Sequence, residues 1–243
     1  MTNQLENIHN DNDRFKELSK NYGEYFHEVF EQQGLNYDKL QESVYDEVVK
    51  EFGDKEDISI LDIGVGDGET SKLFINHGYR NIIGIDLNKN MLAVTQEKYG
   101  DQIRLMEENA TNLSKFSKKE FDAFIAGTSI HNIPKAERVK FWQEILRVLP
   151  TLCVFAEKIS DGNPGEYIDA YNKEIEAIKK IFTKKYNLPN IADEWIKHYI
   201  EDEKEKLTLE EIKSNLASKY TVNVVFEMGL YKTIVCRIKN QNE

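Results

Sequence analysis

Arginine is scarce in this chain. Arg14, Arg80, Arg104, Arg138, Arg147 and Arg237 are its only six, and none falls between 148 and 236. A segment without arginine has no planar, bidentate fork for a carboxylate. Cysteine is scarcer still: Cys153 and Cys236 each sit in an apolar, β-like run, lack metal-site or redox-pair spacing, and read as buried free thiols. No metal is expected. The sequence shows neither a signal-like apolar stretch nor a run of membrane-spanning length, which predicts a cytoplasmic protein with no membrane partner. Positive charge is also in deficit, with 32 Lys and Arg against 43 Asp and Glu, a net −11. An acidic surface repels phosphate backbones, so nucleic acid is disfavoured and a small molecule is the expected partner. The 243 residues suffice for one sizeable α/β domain over 1–243, as monomer or homodimer.

What the chain does have is a strand-like run that ends in glycines: Ile58-Ser59-Ile60-Leu61-Asp62-Ile63-Gly64-Val65-Gly66-Asp67-Gly68-Glu69-Thr70. A β-branched run stopping at alternate glycines predicts a parallel strand followed by a bare backbone loop, where a ligand lies against main-chain N–H groups. The dinucleotide pattern G-x-G-x-x-G needs a third glycine where Glu69 stands, and a carboxylate there repels pyrophosphate. No Lys-Ser or Lys-Thr pair follows, which excludes a P-loop. The acidic flanks Asp62, Asp67 and Glu69 suit a ligand carrying positive charge and hydroxyls, a sulfonium nucleoside rather than a nicotinamide dinucleotide.

From residue 58 onward, strand candidates at Ile58–Ile63, Ile82–Asp86, Ile103–Met106, Phe121–Ala126 and Leu152–Glu157 alternate with helical patterns at Thr70–His77, Lys89–Tyr99 and Lys135–Leu149. That rhythm predicts a doubly wound, mostly parallel α/β sheet. In the last helix Val139, Trp142, Ile145, Leu146 and Leu149 mark the expected buried face. Tyr220–Glu227 and Tyr231–Lys239 are separated by three residues, too few for a crossover, so they form an antiparallel hairpin and bring the sheet to seven strands. Thr208 with Glu211 reads as a capping box at the start of the preceding helix. Residues 1–50 read as a helical cap, with Phe15, Tyr22, Tyr25, Phe26, Phe30, Tyr37 and Tyr45 on it. Residues 163–206 read as a helical lid, where Ile168, Tyr171, Ile175, Ile178 and Phe182 keep helical spacing and Trp195 and Tyr199 lie four apart. Both segments are expected over the sheet's C-terminal edge, the ligand edge of open α/β sheets.

These motifs resemble the class I S-adenosylmethionine-dependent methyltransferases, over roughly 58–160 and the terminal hairpin. The resemblance implies S-adenosylmethionine as cofactor, with Asp62 beneath the loop and Gly64, Gly66 and Gly68 forming it. Asp86, in Ile83-Gly84-Ile85-Asp86, corresponds to the residue that accepts from the ribose hydroxyls, and Leu87 and Met91 to the adenine wall. Asn109 and Ala110 stand where an acidic and a small residue meet the adenine, and Gly127 opens the fourth-motif loop. The chain departs from the family in having Asn109 for a carboxylate and Thr151-Leu152 for the usual Gly-Gly.

His131, in the loop after the fourth strand, is the candidate general base, since a neutral imidazole can take a proton from an attacking hydroxyl or amine. Glu157 at the end of the fifth strand is the second catalytic candidate, as a base or as an anchor for a cationic substrate, with pairing to Lys158 or a lid lysine as its structural alternative. Tyr22, Tyr25, Tyr171 and Tyr199 are candidate substrate contacts. The expected activity is methyl transfer to an oxygen or nitrogen nucleophile of a small molecule. Two alternatives stand beside it. The strand-five Glu-Lys, the insertion and the hairpin are similar to the carboxy-S-adenosylmethionine synthases, though the absence of arginine from 148 to 236 counts against that activity. The other alternative is a cofactor-binding module without catalysis.

Overall fold

The computed structural model describes residues 21–161 and 164–239. Arg14, Phe15 and the remainder of the cap before residue 21 lie outside them. The cap begins with α1 (Tyr22–Gln32) and α2 (Tyr37–Phe52), the latter capped by Asn36, whose side chain accepts the Lys39 N–H. There follow β1 (Ile60–Ile63), α3 (Glu69–Asn76), β2 (Ile82–Asp86), α4 (Lys89–Tyr99), β3 (Arg104–Glu107), β4 (Ala123–Gly127), α5 (Lys135–Val148) and β5 (Leu152–Lys158). The lid consists of α6 (Pro164–Lys180), a π-helical turn at Ile181–Lys185 and α7 (Pro189–Lys204). The chain then runs through α8 (Leu209–Leu216), β6 (Tyr220–Met228) and β7 (Tyr231–Ile238).

The strands form one seven-stranded sheet in the order β3-β2-β1-β4-β5-β7-β6, parallel from β3 to β5 and antiparallel in β7 and β6. Chain order reverses between β1 and β4, so their C-terminal ends open the switch-point crevice where ligands of such sheets sit. β1 and β4 start two residues later than their apolar runs do. Ser59 and Asp122 hold each other before the ladder begins, with Ser59 N–H donating to Asp122 Oδ2 at 2.8 Å and Asp122 N–H to the Ser59 carbonyl at 2.9 Å.

The two-residue period of each strand divides the core. Leu61, Ile63, Phe124, Cys153 and Phe155 face α5 and α8, whereas Ile60, Ile125, Val154 and Ala156 face α2 and α3. The lid has a third cluster of its own, in which Ala177, Ile178, Phe182, Ala192 and Tyr199 pack on Tyr25 and Val29 of α1. Cap and lid therefore cover each other as well as the sheet.

Three side chains depart from their expected places. Val139 is half exposed; the buried face of α5 is Arg138, Phe141, Trp142, Ile145 and Val148. The phase is set by Arg138, fully buried, which donates to Glu211 at 2.8 Å and to the carbonyls of Ile133, Glu205 and Lys206. A buried guanidinium with its donors met is tolerated, and it fixes the helix rotation. Glu211 is consequently drawn off the capping box. Thr208 Oγ1 does accept the Glu211 N–H at 3.1 Å, but the Glu211 carboxylate goes to Arg138 and Trp142 instead of back to the cap. Ile168 on the lid faces solvent, because α6 lies on its neighbours through Glu174, Ala177 and Ile178.

Candidate active site

The glycine loop leaves β1 at Gly64, whose φ is +66° and where a Cβ would stand 2.4 Å from the Ser129 Cβ. Only glycine lets the loop close on the strand-four loop this tightly. Gly68, at φ +86°, caps α3, and a Cβ there would strike the Tyr99 ring at 2.5 Å, so its place in the motif is packing as much as ligand access. Asp86 ties the loop to β2: Oδ2 accepts the Gly66 N–H at 2.9 Å and Oδ1 the Asn88 N–H at 2.8 Å. Burial raises its pKa, and these backbone donors oppose the rise. The carboxylate has four lone pairs against three backbone donors, from Gly66, Asn88 and Leu87, so acceptor capacity remains for a ligand hydroxyl.

Asp62 lies under the loop, fully buried. Oδ2 accepts the Ser71 hydroxyl at 2.6 Å, and Oδ1 has no partner among the described residues. Burial pushes its pKa up to about 7, opposed by the Ser71 bond. Met91 is buried with its Cε near Gly66, Leu87 is exposed beside β2, and Ala110 is half-buried. Asn109 is exposed, and its Oδ1 accepts both the N–H and the hydroxyl of Thr111 at 2.9 Å. That turn uses the oxygen expected to meet the adenine amine, so Asn109 does not offer it in this arrangement.

The acidic flanks of the loop serve the protein itself. Asp67 pairs with Lys98 at 2.9 Å. Glu69 pairs with Lys72 at 3.2 Å and Lys98 at 3.4 Å, and His27 of α1 lies 3.6 Å away. Burial alone would raise Glu69; instead His27, Lys72 and Lys98 hold it at about 2. Of the three acids expected to attract a cationic ligand, Asp62 alone has a fully buried oxygen without a partner among the described residues.

On the other face of the sheet, the strand-four loop turns through Ile130–Asn132. His131 Nδ1–H donates to Glu157 Oε2 at 2.8 Å, a direction fixed because the carboxylate only accepts. Its Nε2 has no protein partner among the described residues, and the side chain is 15% exposed. Glu157 is entirely buried, and its Oε1 also accepts the Ser129 and Ile130 N–H groups, both at 2.8 Å. Glu157 therefore does not open into the cleft as a base or cation anchor. Nor does it pair with Lys158, since adjacent strand residues point to opposite faces. Lys158 instead sits over the Tyr199 ring, 3.0 Å from its centroid.

Under the lid, Tyr199 and Tyr231 donate to the buried Glu174 carboxylate at 2.5 and 2.7 Å. Tyr25 is buried against Phe182 and Tyr186, Tyr22 stacks on Trp195, and Tyr171 lies beside Tyr199. Of the four tyrosines expected at the substrate, Tyr25 and Tyr199 are buried in packing, while Tyr22 and Tyr171 stay half-exposed. Sequence reasoning missed Tyr37, Gln41 and Glu174. Tyr37 is buried on α2, bonds the Thr128 side chain, and is raised well above the usual tyrosine range by burial and by Asp67. The available signal was a polar residue on an apolar helical face: Gln41 between Leu40 and Val44, and Glu174 beside Ile175 and Ile178.

The methyltransferase-domain family profile matches residues 60–151. Over that segment the chain is similar to the class I S-adenosylmethionine-dependent methyltransferases. Among curated relatives, phosphoethanolamine N-methyltransferase 2 of Caenorhabditis elegans is 32% identical over 66% of this chain and 37% of its own length. Demethylmenaquinone methyltransferase of Staphylococcus carnosus is 28% identical over 70% of this chain and 75% of its own. The chain spans 37% of each of the first two curated relatives it matches. The structure of a Methanococcus maripaludis protein described as an S-adenosyl-L-methionine-dependent methyltransferase superposes with a TM-score of 0.58 at 16% identity, covering 93% of this chain and 94% of that one. The Burkholderia thailandensis 1,6-didemethyltoxoflavin-N1-methyltransferase gives 0.52 at 16% identity, covering 83% and 79%. The residues present fit the methyltransferase cofactor. Asp62 keeps a buried oxygen unpaired beneath the loop, and Asp86 keeps acceptor capacity for ribose hydroxyls.

Proposed function

We propose that this methyltransferase acts on an oxygen or nitrogen nucleophile of a small molecule, with His131 as general base and Glu157 as the residue that positions it. The observation that carries this reading is the 2.8 Å bond from His131 Nδ1–H to a fully buried carboxylate. It fixes the tautomer, leaves Nε2 as an acceptor, and stabilises the imidazolium that forms on proton uptake. When bound, S-adenosylmethionine supplies an electrophilic methyl group on its sulfonium sulfur. Asp86 and the Gly64–Gly66 backbone would hold the nucleoside, with Asp62 toward its aminoacyl end and Met91 and Leu87 toward its base. His131 takes the proton of the attacking hydroxyl or amine at Nε2. The lid excludes water and holds the nucleophile in line, which supplies much of the rate.

The net charge of −11 and the aromatic walls at Tyr22, Trp195 and Tyr171 favour a small acceptor over nucleic acid. The acceptors named for the worm, Staphylococcus and Burkholderia proteins are small molecules too. We place the reaction in the cytoplasm, where the facing thiols of Cys153 and Cys236 stay reduced. Among the described residues no helix is long and apolar enough to cross a membrane. The test is incubation with isotope-labelled S-adenosylmethionine and a metabolite extract, followed by mass spectrometry. A metabolite gaining one labelled methyl group is the expected result; label found only in protein, or nowhere, overturns the reading.

A further inference from the structure

Gln41 projects from α2 one turn after Tyr37 and is 4% exposed, yet neither its Oε1 nor its Nε2 has a hydrogen-bond partner among the described residues. A buried carboxamide left unmet on both sides is costly, and native structures keep few of them. Its position is specific. Oε1 lies 3.2 Å from where a Cβ on Gly127 would stand, so the amide rests against the end of β4. Asp62 is the register partner of Ile125, and Gly127, two residues on, shares that face. Asp62 Oδ1 and the Gln41 carboxamide thus offer two acceptors and one amide donor on one side of the strand ends, all without partners among the described residues. The lysines nearest the loop, Lys72 and Lys98, are engaged with Glu69 and Asp67.

We infer that Gln41 is a recognition residue for an α-amino-carboxylate group: Oε1, with Asp62, accepts from the ammonium, and Nε2 donates to the carboxylate. A zwitterion satisfies both halves of the amide at once, whereas a phosphate leaves Oε1 unmet and a simple amine leaves Nε2 unmet. Two ligands bring this chemistry to the crevice, the cofactor's aminoacyl end and an amino-acid-like acceptor. Both sources rest on the methyltransferase reading proposed above. Gln41 lies outside the segment the family profile matches.

The test is Gln41→Met, which keeps the side chain's length and removes both polar atoms. Titrating it with S-adenosylhomocysteine and with methylthioadenosine, which lacks the amino-carboxylate, separates the sources. The expected result is at least a tenfold loss for S-adenosylhomocysteine with methylthioadenosine unchanged. If both affinities hold and labelled methyl transfer into extract metabolites falls at least tenfold, the inference stands with the acceptor as the source. Both nucleosides weakened equally, or all three readouts unchanged, overturns it. Gln41→Asn, which keeps the amide but withdraws it by one methylene, gives the same readouts should Gln41→Met not fold. Wild-type protein that binds neither nucleoside counts against the cofactor assignment itself, a result distinct from failure of the Gln41 inference.

Discussion

The two faces of the sheet treat buried polarity in opposite ways at the same strand ends. Toward α5, Glu157 has both oxygens engaged by Ser129, Ile130 and His131. Toward α2 and α3, Asp62 and Gln41 are as deeply buried but keep polar atoms unpartnered. The difference separates scaffold from binding surface. A satisfied network fixes one side chain in one orientation and leaves only His131 Nε2 to act. An unsatisfied one stores an interaction that a ligand completes.

If that division is right, the largest single effect belongs to the satisfied face. Glu157→Ala strands two well-formed N–H donors in the core and should cost about 3 kcal/mol of stability, read by urea unfolding. A neutral outcome would break the comparison at its root. His131→Ala comes next. Turnover should fall about 100-fold while cofactor affinity holds, since the loop and Asp86 are untouched. An unchanged rate would return His131 to a purely structural place.

The unsatisfied face gives a smaller, pH-dependent effect. The folded-state pKa of Asp62 is raised to about 7 from an ordinary 3.8. Between those values the folded protein holds more protons than the unfolded chain, so this group's contribution to stability declines as pH rises through the window and levels off above about 7. Asp62→Asn removes that slope. Its melting temperature should exceed the wild type's by a few degrees at pH 8, with the gap narrowing toward pH 4. Glu69, held at about 2, works in the other direction, losing stabilisation as pH falls below its ordinary 4.5.

The sheet was legible because its signals are local and periodic. β2 and α4 fall where the residues put them, and the link after Glu227, which the structure shortens to residues 229–230, allows only a hairpin. Asp86 was singled out by the resemblance, and it holds the loop through Gly66. The partners of charged side chains were not legible, because they depend on which elements meet. Nothing in the segment around Glu69 indicates that His27 of α1 would reach it, nor does the α5 pattern announce that a buried Arg138 would displace Val139. Glu157 is an instructive middle case. Its place at the end of β5 was readable, and strand alternation alone separates it from Lys158, but its service to His131 emerges only when the strand-four loop folds over it.

The most direct test of the account is calorimetric titration of wild-type protein and Asp86→Ala with S-adenosylhomocysteine. Asp86 both braces the glycine loop and keeps acceptor capacity for ribose. Wild-type protein should bind, and the variant should bind about 10- to 100-fold more weakly, through the loss of charge-assisted hydrogen bonding to the ribose. Equal affinities, or no binding by the wild type, would contradict the placement of the cofactor on this loop.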